Sequence, residues 1–203
     1  MTKDTLDTKL WKPRSVDDTI ALYRDWSATY DADVLGSGYV TQTRAATALA
    51  SLVDLSAPIL DFGCGTGLSG QALRDAGFTT IDGTDITPEM LDLARSKKIY
   101  RSLWQSNPGE LSVKPNTYAT ILAAGVISLG AAPPETLDLL LQVLPSGGHL
   151  AFSYNDPTLA DPSYVGHLEK ITDCGNHSIV FREHGPHLPD KGMGSDVIIL
   201  RKA

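Results

Sequence analysis

The chain has 203 residues, with 17 Lys+Arg against 24 Asp+Glu and a formal net charge of −7. That length suits one domain with a full core. The acidic balance argues against a dedicated nucleic-acid or anionic-membrane surface, which needs clustered cations to displace counterions. No apolar run reaches the roughly 18 residues of a membrane span. Met1-Thr2-Lys3-Asp4 leads into a polar stretch, so no signal peptide is expected. Cys64 and Cys174 are isolated and make neither a disulfide framework nor a zinc site. The expectation is a cytoplasmic chain without a metal.

Residues 1–15 are polar, contain Pro13, and read as a flexible arm. From Val16 a helix is expected, with Val16, Ile20 and Tyr23 on one face, and residues 31–38, rich in Asp and Gly, read as a turn. A second helix runs over 39–52. The period then changes. Pro58-Ile59-Leu60-Asp61-Phe62 is a short apolar strand before a glycine cluster. Helix 68–76 stops at Gly77, a C-cap. Strand 79–84 follows, then Thr87-Pro88-Glu89 opens a helix as N-cap, N1 proline and first-turn acid. Strands are expected at 99–105 and 118–124, the latter apolar throughout and so buried on both faces. Leu137, Leu140, Leu141 and Leu144 form the core stripe of a helix from Pro133. A strand at 149–153 and a helix around Tyr164, Leu168 and Ile171 precede the last strands, 178–182 and 196–200. A long loop is expected between those two, carrying His184 and His187.

Strands alternating with helices predict a mostly parallel, Rossmann-like α/β sheet of seven strands, with helices on both faces and an antiparallel last strand. In such sheets ligands bind beyond the carboxyl ends of the strands. The loop there reads Asp61-Phe62-Gly63-Cys64-Gly65-Thr66-Gly67. Its glycines let the backbone turn sharply and approach a ligand closely. About 20 residues on, Asp85 closes the second strand, where a carboxylate accepts from ribose hydroxyls. A nucleoside-containing cofactor follows. Gly65-Thr66-Gly67-Leu68-Ser69-Gly70 matches the dinucleotide pattern, but Asp61 points into the loop. A carboxylate repels a pyrophosphate and attracts a sulfonium and an ammonium group. At about 5 Å and an effective dielectric of 20 one such charge pair interacts by roughly 3 kcal/mol, so its sign bears on the choice of cofactor.

The run from Ile59 to Gly67 resembles the first motif of class I S-adenosylmethionine-dependent methyltransferases. Asp85-Ile86-Thr87-Pro88-Glu89-Met90-Leu91 resembles their second motif, and Leu144-Pro145-Ser146-Gly147-Gly148 their turn into the fifth strand. Tyr23-Arg24-Asp25-Trp26-Ser27-Ala28-Thr29-Tyr30-Asp31, followed by Gly38-Tyr39, is similar more narrowly to the small methyltransferase-like proteins of the Williams–Beuren syndrome region.

The resemblance implies that Gly63 and Gly65 face the methionine part of S-adenosylmethionine, with Asp61 near its amino group. Asp85 would bind the ribose hydroxyls, and Ile86 and Met90 would pack on adenine. Asn107 stands where the family commonly has an acid, with Ser106 beside it. Tyr23 or Tyr30 would touch the cofactor carboxylate from a helical lid over residues 16–54, above a core of residues 57–203 in a single domain, 16–203. Three departures stand out: Asn107 itself, Tyr118-Ala119 in place of Phe-Asp, and Leu129 in place of a histidine.

No base is securely placed, so no catalytic residue is assigned. Tyr154, Asn155 and Asp156 are expected on the ligand rim, with His184 and His187 on the same edge and His149 structural. The leading expectation is methyl transfer to a small molecule by a monomer or homodimer without nucleic-acid or membrane partners. The alternatives are a non-catalytic module binding S-adenosylmethionine or S-adenosylhomocysteine, and an NAD-dependent oxidoreductase. Asp61 and the lack of a Tyr-x-x-x-Lys pair count against the oxidoreductase.

Overall fold

The computed structural model describes residues 10–203. The expected flexible arm lies mostly outside them. Its described part is packed, because Leu10 and Trp11 lie against the buried Trp26, Val34 and Leu188.

Three helices lead into the sheet. In α1 (Val16–Trp26) Ser15 caps the amino end, its hydroxyl accepting from the Asp18 amide at 3.1 Å. Asp17 and Asp18 in the first turn and Arg24 in the last complement the helix dipole. The expected turn at 31–38 is instead a helix, α2 (Tyr30–Gly36). Asp33 is the reason: its Oδ2 accepts from Trp26 Nε1 at 2.7 Å and from Thr29 Oγ1 at 2.9 Å, while Val34 is buried beside Trp26. Tertiary packing overrides local propensity there. Helix α3 (Thr41–Ala50) buries Ala45, Ala46 and Leu49 against the sheet.

The sheet has seven strands: β1 (Ile59–Phe62), β2 (Ile81–Asp85), β3 (Ser102–Gln105), β4 (Thr120–Ala123), β5 (His149–Asn155), β6 (His177–Leu188) and β7 (Met193–Lys202). They lie in the order β3-β2-β1-β4-β5-β7-β6. The first five are parallel to their neighbours; β7 runs antiparallel to both β5 and β6. Helices α4 (Leu68–Asp75), α5 (Pro88–Ser96), α6 (Thr136–Val143), α7 (Asp156–Leu159) and α8 (Pro162–Asp173) complete the fold. Alternate strand residues feed two cores. Leu60, Ile121, Leu150, Phe152 and Ile198 meet α6 and α8 on one face. Ile59, Ile81, Leu122, Ala151 and Val197 meet α3 and α4 on the other.

Two details depart from expectation. The long loop carrying His184 and His187 is strand: β6 runs on to Leu188 and turns through Pro189–Lys191 into β7. Two irregularities in its register, one of them between Pro186 and Leu188, hid the alternation. Tyr118, in place of the family's phenylalanine, donates its hydroxyl to the buried Asp82 Oδ2 at 2.7 Å, and Arg101 pairs with the same carboxylate.

Candidate cofactor and acceptor site

The strand order reverses between β1 and β4, and the loops beyond their carboxyl ends open into a cavity of about 440 Å3. Its floor is the glycine loop. Gly63, Gly65 and Gly67 all have positive φ. A Cβ on Gly63 would come within 2.5 Å of Val126, whereas one on Gly65 would meet nothing within 4 Å. The loop is therefore tight on its protein side and open toward the cavity.

Three amides of this loop are spent on β2, and a fourth, Gly67 N, donates to Cys64 O at 2.8 Å. Gly63 N and Cys64 N donate to Thr84 O at 2.8 and 3.0 Å, and Gly65 N donates to Asp85 Oδ2 at 2.9 Å. A pyrophosphate nest needs such amides unpaired. Asp85 Oδ1 accepts from Thr87 N at 2.8 Å, so the second motif is held by its own first residue. Burial raises the Asp85 pKa, against hydrogen bonds from the Thr87 and Gly65 amides, the Thr87 hydroxyl and the Ile86 amide.

Asp61 is fully buried behind the loop and does not line the cavity. Its Oδ2 accepts from Ser69 Oγ and from Tyr100 OH, both at 2.7 Å, while Oδ1 has no partner. Burial raises its pKa to about 6, against the lowering pull of the Tyr100 and Ser69 hydrogen bonds and with a further rise from Asp85. An orphaned buried carboxylate oxygen beside a glycine floor is the counterpart of a cationic group.

Tyr23, Tyr30, Gly63, Gly65, Asp85, Ile86, Met90, Ser106 and Asn107 all line the cavity. Asn107 Nδ2 donates to Glu110 Oε2 at 2.9 Å, leaving its carbonyl oxygen for a ligand. Tyr23 of α1 and Tyr30 at the start of α2 pack with Trp26, ring centroids 6.2 and 4.7 Å from it, so the expected single-helix stripe is split between two helices and serves at once as core and cavity roof. Burial raises both phenol pKa values. The lining contains no Lys, Arg or His among the described residues.

Several expectations need correction. Tyr154 is wholly buried in the core against Phe152 and Tyr164. His184 lies outside the cavity; its Nδ1 is 2.9 Å from Asp196 Oδ1, clasping the β6–β7 hairpin. His187 is 7% exposed and burial pushes its pKa down to about 4. Sequence reasoning missed Tyr39, Gln42, Thr66 and Tyr100. Tyr39 and Gln42 follow the helix-opening segment, and only their place over the cavity marks them. Tyr100 precedes a strand and gave no sign of reaching Asp61, 39 residues away.

The sequence profile of a family described as a methyltransferase domain matches residues 40–191, well over half of the chain. The chain belongs to that methyltransferase-domain family, and it has the fold seen in S-adenosylmethionine-dependent methyltransferases. Methyltransferase-like protein 27 of Homo sapiens is 32% identical over 130 residues, covering 62% of this chain and 53% of that protein. A ribosomal protein L11 methyltransferase of Yersinia pseudotuberculosis is 32% identical over 132 residues, covering 58% and 42%. The chain thus spans about half the length of the curated relatives it matches. Magnesium protoporphyrin IX methyltransferase of Synechocystis PCC 6803, solved with bound S-adenosylmethionine, superposes with a TM-score of 0.67 at 18% identity over 94% of this chain and 100% of that one. At that identity the likeness concerns the fold.

Proposed function

We propose that this chain transfers the methyl group of S-adenosylmethionine to an uncharged small molecule. The observation that carries the reading is the acidic, cation-free site: Asp61 with a free buried oxygen behind the loop, Asp85 in the cavity wall, and no Lys, Arg or His in the cavity lining among the described residues. When bound, the cofactor supplies an electrophilic methyl carbon on a sulfonium whose leaving group is a neutral thioether.

The chain's own part is binding, orientation and exclusion of water. Asp61 Oδ1 attracts the cofactor ammonium, and Asp85 accepts from the ribose hydroxyls. Ile86 and Met90 flank adenine, with Ser106 and the Asn107 carbonyl at its edge. Gly63 and Gly65 give the methionine part close approach, and Tyr23 and Tyr30 roof the carboxylate end. With Asp85 and Glu135 the only carboxylates and no His or Lys in the described lining, the rate enhancement is assigned to holding a nucleophile in line with the reacting bond.

A relative named for ribosomal protein L11 keeps a protein acceptor in view. The small-molecule reading rests on the concave cavity of about 440 Å3, and its lining without Lys, Arg or His among the described residues counts against a phosphate-bearing acceptor. Calorimetry with S-adenosylhomocysteine and with NAD tests the cofactor: binding of the first and not the second is expected. Transfer of labelled methyl from S-adenosylmethionine is then followed against a panel of uncharged, anionic and cationic small molecules and ribosomal protein. Turnover with an uncharged compound supports the reading. Turnover with protein alone, or with none of them, overturns it, the latter in favour of a binding module.

A further inference from the structure

A second, smaller recess of about 60 Å3 adjoins the cavity: Tyr23, Tyr30, Tyr39, Gly125 and Ala131 line both. Trp11 and Trp26 add to the three tyrosines in its wall, beside Leu10, Val34 and Leu188. Three polar side chains also line it: Ser128, Asn155 and His187. They come from the segment after β4, the end of β5 and the end of β6, which is the ligand edge of the sheet.

Each of the three keeps an unspent group. Asn155 Oδ1 accepts from Thr158 N at 3.1 Å and from Thr158 Oγ1 at 2.7 Å, which fixes the amide so that Nδ2 is its free end. Ser128 Oγ has no hydrogen bond to a described residue. His187 sits at the register irregularity of β6, where a bulge turns a side chain inward. Its Nδ1 is 2.8 Å from Thr41 Oγ1, which is 2.9 Å from Ser195 Oγ, which accepts from Arg44 at 3.2 Å.

The Thr41 hydroxyl both donates and accepts, so this network holds the His187 ring in place without choosing its tautomer. Burial keeps that ring neutral at physiological pH.

One free amide N–H, a free hydroxyl and a neutral imidazole, with no cation among the described lining residues, suit a neutral polar group. A carboxylate would meet no cation in this lining, and an ammonium would meet the Asn155 donor. The aromatic residues shared with the larger cavity favour a flat ring there. We propose that this recess is the inner end of the acceptor subsite, where Asn155 Nδ2, with Ser128 and His187 beside it, holds the carbonyl oxygen of an uncharged methyl acceptor whose ring lies in the adjoining cavity. The inference rests on the methyltransferase reading above and names the acceptor class for it.

The test uses the whole chain saturated with S-adenosylhomocysteine and three probes of one shape: benzamide, benzoate and benzylamine, followed by ligand-observed NMR. Benzamide is expected to bind, and at least tenfold more tightly than the other two. Asn155→Asp keeps the acceptor for Thr158 and replaces the donor with a charge. It should weaken benzamide at least tenfold and make benzylamine the preferred probe, a reversal that mere loss of structure does not produce. His187→Phe should weaken benzamide while the calorimetric affinity for S-adenosylhomocysteine stays unchanged. No benzamide binding to the wild-type complex, or equal binding by both variants, overturns the subsite. Failure to bind S-adenosylhomocysteine at all would instead sink the cofactor reading.

Discussion

Asp31 Oδ1 accepts a hydrogen bond from Thr66 Oγ1 at 2.5 Å, tying α2 to the glycine loop. The other oxygen of the same carboxylate accepts from Lys97 Nζ at 2.7 Å, at the carboxyl end of α5. One partly exposed side chain thus fastens the aromatic roof to the cofactor floor. Removing it in Asp31→Ala should cost about 1 kcal/mol locally. Amide exchange in α1 and α2 should rise about fivefold while the central strands keep their protection. Unchanged exchange in both helices would show that aromatic packing alone holds the roof.

Asp61→Asn should move stability and binding in opposite directions. In the folded chain the Asp61 carboxyl keeps its proton up to about pH 6, against an ordinary value of 3.8. Between those values the folded state binds more protons than the unfolded one. Its contribution to stability is therefore full below pH 4, declines as pH rises to 6, and is flat above that. The decline is of the order of 3 kcal/mol. The variant should lack it, melt higher than wild type at pH 7 without ligand, and bind S-adenosylmethionine at least tenfold more weakly. In the wild type the affinity itself should fall as pH drops below 6, because the cation prefers the ionised carboxylate. Melting curves and calorimetry over pH 4–8 measure both.

Asp85→Asn should lower both quantities together. An asparagine has one acceptor oxygen, and Asp85 uses two, for Gly65 N and Thr87 N. A backbone amide left facing an NH2 group costs about 1–3 kcal/mol. Melting temperature and S-adenosylhomocysteine affinity should both drop, in contrast to the Asp61 variant. Equal behaviour of the two variants would contradict the separate roles given to the two acids.

Two glycines of the same loop should separate folding from binding. Both have positive φ, but only Gly63 is also crowded, with Val126 2.5 Å from a built Cβ. Gly63→Ala should cost about 2–4 kcal/mol. Gly65→Ala should cost about 1 kcal/mol, since its methyl group points into open space. That space is where the methionine part is proposed to lie, so the variant should fold and fail to bind S-adenosylhomocysteine. A folded Gly65→Ala with full affinity would remove the loop from the site.

Where the chain was legible, the signal was local. The strand–glycine–helix run at Ile59 to Leu68, the acid at Asp85 and the Thr87-Pro88 helix start each depend on residues within one turn, so period and turn chemistry reveal them. Even so, Thr87 makes no side-chain cap; Asp85 takes its amide instead. The β6–β7 hairpin was misread because Gly185, Pro186 and two register shifts interrupt its alternation, although β7 supplies the partner that holds it straight.

Sequence by itself determined the class of fold and the acidic character of the cofactor loop, because both are written in residues a few positions apart. Tertiary structure alone decided that three loop amides are spent on β2, that Tyr100 shares Asp61, and that Ser128, Asn155 and His187 converge on one recess. Those relations join residues separated by tens of positions, and only packing, with the burial that shifts their protons, brings them within hydrogen-bonding distance.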